Sequence, residues 1–149
     1  MEKLLVSACL LGCACRYDGG SVPNEEILEL KDRYELIPVC PEQSGGLPTP
    51  RVPSERVGDR VLAKNGADVT EAFIKGAETA LYLAKTLGAS AAVLKARSPS
   101  CGKGEIYDGS FSGTLTKGDG VTAALLEANG VPVFTEENLA TLPKNEKEY

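Results

Sequence analysis

The sequence predicts an α/β fold: one domain with a mainly parallel sheet and flanking helices, in a Rossmann-like, three-layer arrangement. Two observations predict it. Short apolar runs alternate along the chain with segments of helical periodicity, the pattern of parallel strands joined by crossover helices. The 149 residues, 42% hydrophobic and 25% charged, suit one core that needs no disulfide staples. No repeat and no linker divides the chain, so residues 1–149 read as a single domain.

The first run, EKLLVSA at 2–8, is too short for a helix and apolar enough for a buried strand. A turn-rich stretch containing GCACRYDGGS follows it. Asn24 is placed to cap a short helix, EEILELKDR, whose apolar stripe is Ile27, Leu28 and Leu30. YELIPV at 34–39 reads as a second strand that ends at Cys40. The segment CPEQSGGLPTPRVPSER holds four prolines and two glycines and predicts an extended, rigid surface loop. Asn65-Gly66, after RVLAK, marks a turn and suggests a small β-ribbon. Asp68 and Glu71 have capping-box spacing ahead of a helix that carries Phe73, Ala77, Ala80, Leu81, Ala84 and Leu87 and stops at Gly88. ASAAVLKA at 89–96 is a third strand, followed by a loop, RSPSCGKG. Beyond a Gly- and Ser-rich stretch, Asp119 is placed to cap a helix, GVTAALLEAN, that stops at Gly130. VPVF at 131–134 is a fourth strand, and the tail from about residue 140, PKNEKEY above all, is expected to fray.

Composition narrows the chemistry. There is no histidine, which removes imidazole general bases, Ser-His and Cys-His dyads, and His-containing metal sites. A net charge of −5 argues against a broad nucleic-acid footprint. No run of eighteen apolar residues supports a membrane span, and no cleavage pattern marks an export signal. Five cysteines without such a signal read as thiols of a cytoplasmic protein.

Three of those cysteines belong together. In an open parallel sheet the loops after the strands share one edge, and ligands bind in that crevice. Cys9 follows the first strand, Cys40 the second and Cys101 the third. Taken singly, each reads as a small buried hydrophobe; taken together, they mark a site. Cys13 and Cys15 lie in the first loop without a strand of their own and are not expected to be ligands. Three thiolates suit zinc with an open position or an iron–sulfur cluster with one free iron, and spacing does not separate the two. A dithiol redox role would want a C-x-x-C pair, which the sequence lacks. Glu42, two residues past Cys40, is the natural proton-transfer group in a chain without histidine. Ser98 and Ser100 flank Cys101 and are expected to hydrogen-bond a polar substrate. Arg16, Arg51 and Arg97 are candidates for anion or carbonyl contacts, and the glycines of KGDGVTAALL offer a helix N-terminus to an anion.

VSACLLG with RYDGG, PVCPE with GGLPTPR, RSPSCGKGEIYDG, FSG and KGDGVTAALL, in that order, resemble the thiouracil desulfurase family. The resemblance runs from about Val6 to Gly130. It implies an α/β domain with a [4Fe-4S] cluster on three cysteines and one open iron, which removes sulfur from a thiolated pyrimidine by non-redox hydrolysis. The family's ligand motifs fall on Cys9, Cys40 and Cys101, its catalytic carboxylate on Glu42 and its substrate-handling serine on Ser98. Ser54 sits where many relatives carry another cysteine and is not expected to be a ligand. The partner this implies is a small thiolated base. Two other classes stay open on the residues alone: a carrier of metal or sulfur on the same thiols, and a small-molecule binding module with the cysteines as core.

Overall fold

The structure, a computed structural model, describes residues 1–142. In chain order it contains β1 (Glu2–Ser7), α1 (Glu25–Glu29), β2 (Tyr34–Val39), α2 (Pro41–Ser44), β3 (Ser54–Val57), β4 (Arg60–Ala63) and α3 (Thr70–Leu87). These are followed by β5 (Ala89–Leu94), β6 (Glu105–Tyr107), β7 (Leu115–Lys117), α4 (Val121–Ala128) and β8 (Val133–Thr135). A 3-10 turn at Leu139–Thr141 closes the described part. The expected fraying of PKNEKEY lies outside the described residues.

The main sheet has the order β2-β1-β5-β8 and is parallel throughout. Chain order therefore reverses between β1 and β5. One neighbour of β1 is reached through α1, the other through α2, the ribbon and α3. The carboxyl edge of that pair is the crevice where open α/β sheets bind ligands. Successive strand residues face opposite layers. Leu4 and Val6 of β1, with Ala91 and Val93 of β5, pack with Ile27 and Leu30 on one side. Leu5, Ala92 and Leu94 pack on the other with Ala80 and Ala84 of α3 and Ala123 and Leu126 of α4. Burial on both faces explains why β1 and β5 read as continuous apolar runs. Truncating Leu126, fully buried at that interface, would cost about 2–5 kcal/mol.

The four main strands, the Asn24 cap (its Oδ1 accepts from the Ile27 amide at 3.1 Å) and the left-handed stop at Gly88 agree with the sequence reading. Other details differ. α2 forms inside the stretch expected to be extended, because Pro41 takes the first helical position, where its missing N–H costs nothing. β3 also forms there and pairs antiparallel with β4 through a turn at Gly58-Asp59; Asn65-Gly66 is a separate turn after β4. The Gly- and Ser-rich stretch contains a second ribbon, β6 with β7. Asp68 Oδ1 accepts from the Thr70 amide at 2.9 Å, but Glu71 makes no reciprocal bond, so the capping box is half formed. Asp119 does not cap α4: its Oδ1 accepts from the Gly104 amide at 2.7 Å, and Gly120 is the N-cap residue.

Candidate functional site

Three loops reach the carboxyl edge. The first begins as a 3-10 turn, Ala8–Leu11, ended by Gly12 at φ +101°. Ser7 Oγ accepts the Lys95 amide at 2.9 Å and so pins the end of β1 to the end of β5. The second loop is α2, held against α3 by close backbone approach. A Cβ on Gly76 would stand 1.8 Å from the Pro41 carbonyl oxygen, and one on Gly45 would stand 1.9 Å from that of Ala72. The third loop, 97–104, is clasped by the start of α4. The Val121 amide donates to Pro99 O at 2.9 Å, Thr122 to Ser100 O at 2.8 Å and Gly120 to Gly102 O at 2.7 Å. These carbonyls occupy the helix N-terminus, so the anion site suggested there is corrected.

The loops enclose a cavity of about 200 Å³ lined by Cys9, Cys15, Cys40, Cys101, Glu42 and Ser98 among others. Cys9, Cys40 and Cys101 thus meet in space across 92 residues of chain. Cys9 and Cys101 are buried and Cys40 is half-buried. Burial pushes the Cys9 thiol up to about 11, and Cys40 adds to the rise. Burial pushes Cys101 up to about 12; a Ser7 hydrogen bond opposes this, while Glu42, Cys9 and Cys40 add to it. Cys9 and Cys101 resist ionisation chiefly through burial and partly because the other thiols stand near, and a positively charged group would favour their deprotonation on binding. Among the described residues no three His, Cys, Asp or Glu side chains are arranged around one point to hold a single metal ion. Three thiols lining one cavity in a chain without histidine are the all-sulfur donor set that an iron–sulfur cluster takes.

Glu42 lies on the wall, its Oε2 accepting from Arg51 Nε at 2.7 Å; Oε1 accepts no hydrogen bond from the described residues. Ser98 Oγ accepts the amides of Ser100 and Cys101 at 3.1 and 3.0 Å. Both acceptor positions are then used, and the hydroxyl proton remains to donate into the cavity. Ser100 is corrected. It is fully buried, its hydroxyl pairs with Thr122 at 2.8 Å, and it is not on the cavity wall. Arg16 and Arg97 also line the cavity; Arg97, at φ +66°, pairs with Glu105 and Glu137. Ser54 also lines the wall.

Two wall residues escaped the sequence reading. Cys15 is 5% exposed and lies beside Cys40, whose Sγ donates to Cys15 O at 3.7 Å. Burial, then Cys40 and Cys9, push the Cys15 thiol up as well. Cys13, two residues earlier, is exposed and off the wall. Lys95 also lines the cavity, tied to Glu136 at 2.9 Å. A lysine ending the apolar run of a central strand was the signal for it.

Comparison with known proteins gives a consistent family and fold. The family model described as 2-thiouracil desulfurase matches residues 4–138. The uncharacterized protein YbbK of Bacillus subtilis (strain 168) is 44% identical over 146 residues, covering 91% of this chain and 97% of that one. A solved structure of the [4Fe-4S]-dependent thiouracil desulfidase TudS superposes with a TM-score of 0.90 at 47% identity, over 95% of each chain.

Proposed function

From the premise that the chain belongs to the 2-thiouracil desulfurase family, we propose that it is a [4Fe-4S]-dependent desulfurase of a thiolated pyrimidine such as thiouracil. The overall change exchanges C=S for C=O, consuming one water and releasing one hydrogen sulfide, with no net electron transfer. The observation that carries the reading is the convergence of Cys9, Cys40 and Cys101 on one cavity beside a carboxylate. Those three thiolates would hold the cluster. When bound, it supplies a Lewis-acidic iron with no protein ligand, which polarises the carbon–sulfur bond.

The chain's own residues supply the rest. Glu42 Oε1, which accepts no hydrogen bond from the described residues, takes a proton from the attacking water and returns it to the departing sulfur. The Ser98 hydroxyl donates to a heteroatom of the ring and fixes its orientation. Val39, Pro41 and Pro99 give the wall apolar surface for a planar ring. On this reading the chain is a hydrolase acting as one desulfurase domain over 1–149. Its partner is a free thiolated base rather than a nucleic acid, consistent with the net charge of −5. Thiols kept reduced for iron support a cytoplasmic location. Among the described residues no helix is long and apolar enough to cross a membrane.

The test is anaerobic reconstitution followed by iron and acid-labile sulfide analysis and assay with 2-thiouracil. Iron, sulfide and release of uracil are expected. Cys101→Ser should lose iron, and Cys13→Ser should keep it. Iron-loaded protein that leaves 2-thiouracil untouched would overturn the reading.

A further inference from the structure

One cation of the cavity wall ties two site loops together, and we infer that Arg51 is a positioning residue that aims Glu42 and locks the first and second loops into one unit. The inference rests on the reading of Glu42 as the group that moves protons. The Arg51 side chain is only 7% exposed. Its Nε donates to Glu42 Oε2 at 2.7 Å and its Nη2 to the Cys15 carbonyl at 2.9 Å. Its Nη1 donates to Thr49 Oγ1 at 3.0 Å and to Pro48 O at 3.3 Å. The Arg51 amide donates to Tyr17 O at 2.7 Å. A guanidinium presents its donors in a rigid plane, so acceptors on three sides fix both its place and its orientation.

Glu42 needs such a partner. Its own helix, α2, is four residues long and meets α3 through backbone contacts at Gly45 and Gly76. Those contacts set where Glu42 starts and leave its side-chain torsions free. Arg51 Nε supplies the missing constraint and leaves the other carboxylate oxygen without a hydrogen bond from the described residues. Through Cys15 O, the same plane carries the loop that holds a buried thiol beside Cys40. A lysine would bring charge to Glu42 but not the fork that spans to Cys15 and Thr49.

The test uses the reconstituted enzyme and four variants: Arg51→Lys, Arg51→Gln, Glu42→Gln, and Arg51→Lys combined with Glu42→Gln. Loss of aim should lower kcat about 10²-fold in Arg51→Gln, with KM little changed and iron and sulfide per chain as in the parent. Arg51→Lys should rescue only part of that loss. In the Glu42→Gln background Arg51→Lys should cost little more, because residues acting as a unit are not additive. Hydrogen exchange over residues 13–20 should quicken in Arg51→Lys and match the parent in Glu42→Gln. Full additivity, a kcat loss that tracks lost iron, or unchanged exchange in Arg51→Lys overturns the inference while the role of Glu42 stands. A Glu42→Gln enzyme with the parent's kcat overturns the role of Glu42, and this inference with it.

Discussion

The loops that deliver Cys40 and Cys101 both press against a helix at a glycine, yet different chemistry holds each of them. The Cys40 loop touches α3 through Gly45 and Gly76, and its Glu42 side chain is held by Arg51. The Cys101 loop is held by its own backbone: carbonyls of Pro99, Ser100 and Gly102 receive amides at the start of α4, and Gly120 lets the two segments meet. Fixing a thiol asks only that its backbone be fixed. Aiming a carboxylate on a flexible stem takes a second side chain, and the extra partner appears at the loop that carries Glu42.

The sharpest way to break this comparison is to fill the glycines. Alanine at Gly76 places its Cβ 1.8 Å from Pro41 O, and at Gly120 places it 2.4 Å from Ser100 C and O. Gly120 has an ordinary φ of −66°, so its penalty is mainly steric, with a smaller loss from placing alanine at the N-cap of α4. Each substitution should cost about 3 kcal/mol by overpacking, read as a lower urea midpoint at unchanged slope. A parental midpoint for either would remove that contact from the account. A smaller effect is expected at Ser98. Ser98→Ala loses the acceptor for two loop amides and should destabilise by about 1 kcal/mol, as loss of a helix cap does. Because the same hydroxyl faces the cavity, KM for 2-thiouracil should rise as well; stability loss with an unchanged KM would leave Ser98 a purely structural residue.

The smallest effect tests the support of the Cys40 loop from a distance. Thr70, through its hydroxyl and its amide, holds the Asp68 carboxyl below the usual carboxylate range at the start of α3. A depressed folded value stabilises the fold above the unfolded value, and that stability disappears as pH falls through the folded value. Melting of Asp68→Ala should therefore fall below the parent at neutral pH, and the gap should narrow in acid. A gap that is constant with pH would show that the carboxylate charge plays no part.

The sheet was legible because β1 and β5 are buried on both faces and leave uninterrupted apolar runs. The three thiols were legible because parallel strands send their ends to one edge. The ribbons were harder to read. β6 and β7 are three residues each, and β7 is exposed along its length, so neither carries an alternation long enough to detect. The roles of Cys13 and Cys15 were illegible for another reason. Both sit in a loop with no period, and the backbone of Cys15 is held by Arg51, a residue 36 positions away. Ser100 failed similarly: its neighbours Ser98 and Cys101 face the cavity, but the bonds to α4 rotate it into the core.

The strand order has a consequence for when the site comes into being. β1 lies between β2 and β5, and the cavity spans the ends of all three. At a synthesis rate of roughly 5–20 residues per second, the 61 residues from Cys40 to Cys101 take about 3–12 s to appear. Throughout that interval the nascent chain displays the thiols of its first two loops without the wall that will enclose them. Anything delivered to those thiols then would meet an incomplete and solvent-exposed set. Completion of that cavity thereby waits on the pairing of β1 with β5 across a long stretch of chain.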